Sequence, residues 1–227
     1  MTTIPVIAID GPAASGKGAV AQAVAERLGF HYLDSGAIYR ACALAIARSG
    51  LNIDSPNLSE DAVARIASSM DLSFRSGNIY IENQIVTEEI RSEECGKNAS
   101  KIAVLSKLRQ ALLALQHSFR RVPGLVAEGR DMGTVVFPDA QLKIFLTANA
   151  QVRAERRHKQ LMGKGINATI KDLLCEIEAR DARDLGRSVA PLRASESTIT
   201  IDTSTMDLTQ SIDAVLKLYR PNASKTV

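Results

Sequence analysis

The stretch Val6-Ile7-Ala8-Ile9-Asp10-Gly11-Pro12-Ala13-Ala14-Ser15-Gly16-Lys17-Gly18-Ala19-Val20 decides how the chain is read. Val6 to Ile9 is a short apolar run, the pattern of a strand buried on both faces in a parallel sheet. Gly11 to Lys17 fits G-x-x-x-x-G-K. Beyond it Val20, Val24 and Leu28 share one helical face until Gly29 stops the pattern. Strand, glycine-rich turn and helix, in that order, are the context in which such a loop wraps a polyphosphate. The glycines let successive N–H groups point inward, the helix start adds the positive end of its dipole, and Lys17 brings a mobile cation.

Outward from this loop the pattern continues as a strand over Phe30–Leu33 and a helix over Gly36–Arg48, capped by Asp34-Ser35 and ended by Gly50. A helix around Asp61–Ser69 follows. Then come short alternating runs, Leu72-Ser73-Phe74, Ile79-Tyr80-Ile81 and Ile85-Val86, parted by Ser76-Gly77-Asn78 and Asn83-Gln84. These read as a small antiparallel meander inserted into an α/β frame. Helices are expected over Ser92–Val104, Ser106–Arg121, Ala150–Lys164 and Thr169–Arg187. Strands are expected at Leu125–Ala127, Leu142–Leu146 and Thr198–Asp202, with a last helix marked by Leu208, Ile212, Val215 and Tyr219, and a frayed tail over Pro221–Val227.

Composition narrows the class. The chain has 227 residues, 45% hydrophobic and 23% charged, which suits a globular fold with a full core. Its 28 basic and 25 acidic residues leave a net charge of +3, interspersed, which gives no footprint for a nucleic-acid partner. No apolar run approaches a membrane span, and Met1 to Pro5 lacks the basic lead and apolar block of a signal peptide. Cys42, Cys95 and Cys175 lie too far apart for a disulfide framework, so reduced thiols in the cytoplasm are expected.

The phosphate loop departs from the common pattern, because Gly18 and Ala19 follow the lysine and neither carries a hydroxyl for magnesium. The carboxylates available are Asp10, Asp34 and Glu128, each near the C-terminal end of an expected strand, which is the ligand edge of an open α/β sheet; Ser15 is a weaker candidate. Glu128-Gly129-Arg130-Asp131-Met132-Gly133 sets a cation beside an acceptor between two glycines. Arg153, Arg156 and Arg157, with Lys159 and Lys164 beyond, form either a solvated face or a cationic helix closing over polyphosphate. Arg180, Asp184 and Arg187 share one helix face, either as an ion-pair ladder or as a grip on a phosphorylated sugar. His31 reads as packed near the sheet, His117 and His158 as solvated. Many arginines and no obvious base favour phosphoryl transfer to an acceptor that is already anionic.

Three blocks together resemble bacterial cytidylate kinase: Ile9 to Gly18, Tyr32-Leu33-Asp34-Ser35-Gly36-Ala37-Ile38-Tyr39-Arg40, and Gly129-Arg130-Asp131-Met132-Gly133-Thr134-Val135-Val136-Phe137-Pro138. The run Glu178 to Leu192 matches as well, and the likeness covers nearly the whole chain. The resemblance implies ATP- and magnesium-dependent phosphorylation of CMP and dCMP by a monomer. The implied fold is α/β, a P-loop NTPase-type parallel sheet core over residues 1–58 and 105–227. An inserted antiparallel acceptor-binding subdomain would span 59–104 and a short lid about 153–166.

The resemblance also assigns residues. Gly11, Pro12, Ala13, Ala14, Ser15, Gly16, Lys17, Gly18 and Ala19 would hold the ATP phosphates, with Arg153 and Arg157 from the lid. Ser35, Ser100, Arg109 and Asp131 would face cytosine, whose amino group Asp131 accepts and whose carbonyl counterpart in uracil it would repel. Arg40, Arg130 and Arg187 would meet the acceptor phosphate or its surroundings, and Arg180 and Asp184 the sugar. Lys17, Arg130, Arg187 and Asp131 are expected to carry the transfer. Relatives usually have Thr or Ser in place of Ala19, and Asp in place of Glu128, so altered ATP or magnesium dependence is expected. Two other classes stand beside this reading. One is a nucleotide-sensing module without turnover, toward which Ala19 leans; the other is a P-loop alcohol kinase with Asp34 as base.

Overall fold

In the computed structural model residues 4–75, 77–163 and 165–220 are described. Ser76, Lys164, the first three residues and the tail over Pro221–Val227 lie outside the described residues. The strand before the phosphate loop, β1 (Val6–Asp10), is buried along its whole length. It forms the middle of a five-stranded sheet in the order β2 (His31–Asp34), β6 (Leu125–Gly129), β1, β7 (Leu142–Thr147), β8 (Ile199–Asp202). Every neighbouring pair is parallel.

Alternation along β1 splits the core into two layers. Ile7 and Ile9 pack with Val20 and Val24 of α1 (Lys17–Leu28) and with Ile212 and Val215 of α8 (Leu208–Leu218). Val6 and Ala8 face the opposite layer, where Ile38, Cys42 and Ile46 of α2 (Ser35–Arg48) and Leu108 and Leu112 of α5 (Ser106–His117) are buried. The parallel register sets Asp10 opposite Gly129 and Asp34 opposite Glu128, so the three strand ends that carry these carboxylates finish level at one edge.

The meander forms as expected from β3 (Leu72–Arg75), β4 (Asn78–Ile81) and β5 (Gln84–Ile85). Its second turn falls on Glu82-Asn83, at φ 50° and 64°, one residue before the expected Asn83-Gln84; a two-residue loop with both residues left-handed matches the strand twist. Between α2 and the meander runs α3 (Glu60–Ser69), and α4 (Glu93–Ile102) follows it. The last layer is an antiparallel pair, α6 (Ala150–Met162) and α7 (Ile170–Leu185), with its own small core of Ala154, Leu161, Leu173 and Ile177. The helix ends stop short of several expected limits because the flanking residues serve as caps. Ser92 accepts from Cys95 N–H, and Thr169 from Asp172 N–H. His31 is exposed on the edge strand, its ring Nε2 3.0 Å from the Val122 carbonyl, and not packed inside.

Candidate active site

The phosphate loop leaves β1 with a backbone that tolerates no side chain at Gly11, where a Cβ would stand 2.1 Å from the Leu146 carbonyl oxygen. Ala14 is held at φ 56°, a left-handed conformation that costs an alanine about 1 kcal/mol and persists where surrounding structure enforces it. No side chain caps the start of α1 and no acidic residue sits in its first turn, so its leading N–H groups stay free for an anion. Lys17 is buried, donates to the Pro12 carbonyl at 3.3 Å and lies 3.7 Å from Glu128. Burial and then the Arg130 charge lower the Lys17 pKa; burial and then Asp34 raise that of Glu128. The loop and α7 enclose a cavity of about 340 Å³ whose wall includes Ser15, Lys17, Arg40, Arg157 and Arg180.

A smaller cavity of about 60 Å³ lies beyond it, lined among others by Ser35, Ser100, Arg109, Arg130, Asp131 and Arg187. Two ion-paired clusters shape it. Arg109 from α5 pairs with Asp131 and stands 5.9 Å from the centre of the Tyr39 ring. Burial raises the Asp131 pKa against the pull of Arg109. Asp184 from α7 is fully buried between Arg130, at 2.7 Å, and Arg187. Burial alone would raise the Asp184 pKa, but Arg130 and Arg187 together hold it below the usual carboxylate range. Asp184 thus aims two arginines, joining the loop after β6 to its own helix, and does not form the simple ladder with Arg180. Ser35 donates to Gln116 at 2.8 Å.

Arg40 and Arg180 belong to both walls. Arg40 hangs from α2 and donates to the Ile90 and Ser92 carbonyls at 3.0 and 3.1 Å. Burial and then the Arg130 and Arg40 charges bring the Arg180 pKa down to about 10. Among the described residues five buried side-chain atoms lack a hydrogen-bond partner, and Ser15 Oγ, Ser100 Oγ, Arg180 Nε and Arg187 Nε are four of them. All four residues line the two cavities, which is where such atoms collect when a polar ligand is to satisfy them. A third cavity, about 300 Å³, opens on the other side of Ser15, Gly16 and Ala19, against Arg156, Thr203, Met206 and the start of α8.

Not every expected residue reaches these cavities. Arg153 is buried behind the loop, donating to Ala148 and Ala13 carbonyls at 2.8 and 3.0 Å and pairing with Asp181 at 2.6 Å. Its guanidinium fastens the phosphate loop to α7. Arg157 does line the phosphate cavity, but its guanidinium is shared between Gln160 and Glu93 of α4. Of the carboxylates, Asp10 accepts two backbone N–H groups, from Met132 and Gly133, and Asp34 caps α2 by accepting from Ala37 N–H at 2.9 Å. Among the described residues Glu128 is held by the Tyr32 hydroxyl at 3.4 Å and by Lys17. Among the described residues no group of three or more His, Cys, Asp or Glu side chains is placed to hold a metal by itself.

The structure adds Gly96 and Gln116, which the sequence did not single out, and gives Arg156 a definite place. A Cβ at Gly96 of α4 would stand 2.9 Å from the Arg40 guanidinium nitrogens, so this glycine admits Arg40 to its place. Gln116 fixes Ser35. Arg156 ties the Ser15 carbonyl, at 3.4 Å, to the Thr203 carbonyl, at 2.6 Å. Gly96 and Gln116 had no local signal beyond a glycine inside a helical pattern.

A phosphate loop at the edge of a parallel sheet, opening into an arginine-lined cavity that adjoins a second polar pocket, defines a P-loop kinase. The family model described as Cytidylate kinase matches residues 7–221, and the chain belongs to that family. It is 52% identical to the Cytidylate kinase of Cupriavidus necator, over 98% of this chain and 100% of that one. It is 50% identical to the Cytidylate kinase of Nitrosomonas europaea, over 95% of each chain. The enzyme is a nucleoside monophosphate kinase.

Proposed function

We propose that the chain transfers the terminal phosphoryl group of ATP to CMP and dCMP, giving CDP and dCDP by direct in-line displacement. The observation that carries this reading is the pair Arg40 and Arg180, which stand in the wall between the phosphate cavity and the small acceptor pocket. The ATP triphosphate and the acceptor monophosphate repel when brought together, and positive charge shared between them is what an in-line transfer needs. Arg180, with a buried Nε that has no partner, supplies such charge already placed.

The adenine and ribose of ATP would lie in the third cavity, between Arg156, Thr203 and Met206. The triphosphate would run along the free N–H groups at the start of α1 to Lys17. CMP would enter the small pocket with its base against Asp131, Arg109 and Ser100. Asp131 accepts from the cytosine amino group, and uracil would meet it acceptor to acceptor. Asp184 holds Arg130 and Arg187 toward the acceptor phosphate. That phosphate is anionic near neutral pH, so no base is required, and Asp34 has a different duty as the α2 cap. Segment 59–104 is read as the acceptor-binding part and 153–166 as the lid.

The residues present fit magnesium through Glu128, the strand-end carboxylate with hydrogen-bonding capacity to spare beside the phosphate loop. It would hold the ion through water, since positions 18 and 19 offer no hydroxyl. When bound, the ion neutralises charge on the transferring group. A monomer working in the cytoplasm completes the reading; Cys42, Cys95 and Cys175 are free thiols, and no described helix is long and apolar enough to cross a membrane. A dinucleoside pentaphosphate joining adenosine to cytidine tests the adjacency of the two sites. It should compete with both ATP and CMP; competition with only one would refute the shared wall.

A further inference from the structure

We propose that Asp10 is a positioning residue for this reaction, holding the base-reading loop to the strand from which the phosphate loop departs. The proposal rests on the kinase reading above and goes beyond it, since Asp10 touches neither cavity.

Asp10 is the last residue of β1, and Gly11 is its neighbour in the chain. Its carboxylate crosses to the loop after β6. Oδ1 accepts from the Met132 N–H and Oδ2 from the Gly133 N–H, each at 2.8 Å. These two amides open the wide helical turn Met132–Val136. On the other side of the first of these peptide units the Asp131 carbonyl accepts from Val135 and Val136, at 2.9 and 3.1 Å. Asp131 therefore has its carbonyl bound from within the turn and the next two amides bound by Asp10. Its φ of −148° and ψ of 23° are neither helical nor extended. The same fixation aims Arg130, one residue earlier, at Asp184.

The arrangement links two sites through one side chain. A change at Asp10 moves the acceptor loop while leaving the phosphate loop attached to β1 and fastened by Arg153 and Arg156. A carboxylate is required because both partners donate. An asparagine keeps one acceptor and turns an NH₂ group toward the second N–H. Burial raises the Asp10 pKa to about 6, so the fold keeps a carboxylate where a neutral group would be cheaper to bury.

The test compares the unmodified protein with Asp10→Asn at saturating MgATP, using CMP and UMP. The kcat/KM ratio of CMP to UMP should fall at least tenfold, and kcat for CMP should fall with it. The Kd of a non-hydrolysable ATP analogue should stay within threefold. A general loss of folding would lower both substrates together and weaken the analogue. A CMP-to-UMP ratio within twofold of the unmodified value would overturn the proposal while leaving the kinase reading intact. Absence of CMP turnover by the unmodified protein would strike both. If Asp10→Asn does not fold, amide hydrogen exchange in the unmodified protein decides. Met132 and Gly133 should exchange as slowly as the β1 amides, and exchange at the rate of exposed loops would overturn the proposal.

Discussion

Replacing Arg180 with methionine should make the free protein more stable and the enzyme nearly inactive. Arg180 is half-buried among Arg130, Arg40 and Lys17, with its Nε unpartnered. Burial and those charges bring its pKa down to about 10. A cationic group whose folded pKa lies below its unfolded value disfavours folding at neutral pH, because its charged form is the one penalised. At about 1.4 kcal/mol per pKa unit the ceiling is about 3 kcal/mol, and solvent screening of a half-buried group reduces it to about 1–2 kcal/mol. Methionine keeps the packing of the stem and removes the charge. For a chain of this size such a gain raises Tm by about 3–6 °C. In the proposed transfer the same cation sits where charge passes between donor and acceptor, and losing one fixed donor of this kind lowers kcat by about 100- to 1,000-fold. Thermal unfolding without nucleotide and a coupled ADP-release assay read the two effects. A lowered Tm with kcat preserved would refute the idea that Arg180 is held there against stability to meet phosphate.

Three other outcomes follow from the same geometry. Asp131→Asn should lower kcat/KM for CMP by about 10- to 200-fold, the worth of a charge-assisted hydrogen bond of about 1.5–3 kcal/mol. It should also raise UMP activity relative to CMP; steady-state kinetics with both acceptors would show a constant ratio if Asp131 does not read the base. Ala19→Thr restores a hydroxyl at the start of α1 and should tighten ATP binding about threefold to tenfold, a single hydrogen bond of about 1 kcal/mol. Calorimetric titration that finds no change would remove this residue from the phosphate contacts.

The third concerns pH. Asp10 faces Asp131, which raises its pKa further, and Lys17, which lowers it. With a folded pKa of about 6, above the unfolded value, the folded state keeps its proton longer as pH rises. Stability should therefore decline between about pH 4 and pH 6 by up to about 3 kcal/mol relative to Asp10→Asn, which cannot titrate there. Urea unfolding of both proteins across that range measures the difference, and parallel curves would contradict the assignment.

The parts of the site legible in the sequence are those written along consecutive residues. The phosphate loop needs one strand, one turn and one helix start, and all three lie between Val6 and Leu28. The meander was visible for the same reason, though its second turn slipped by one residue, because Glu82 gives no turn signal of its own. What stayed hidden depends on partners far along the chain. The wide turn Met132–Val136 carries a glycine and three β-branched residues, a poor helical pattern, and forms because a carboxylate 122 residues away accepts its first amide. Arg153 and Arg157 look alike at helical spacing, yet one fastens the back of the phosphate loop and the other lines its cavity. Arg180, Asp184 and Arg187 share a helix face in the sequence, but the pairing of Asp184 with Arg130, which follows strand β6, is not written in that spacing.

The central claim is transfer between two adjoining sites, one holding ATP and the other reading cytosine. The measurement that tests it most directly is ADP release with MgATP against CMP, dCMP, UMP and AMP in one coupled assay. The account predicts rapid turnover of CMP and dCMP and little with UMP or AMP. CMP binding without ADP release, or equal turnover of CMP and UMP, would contradict it.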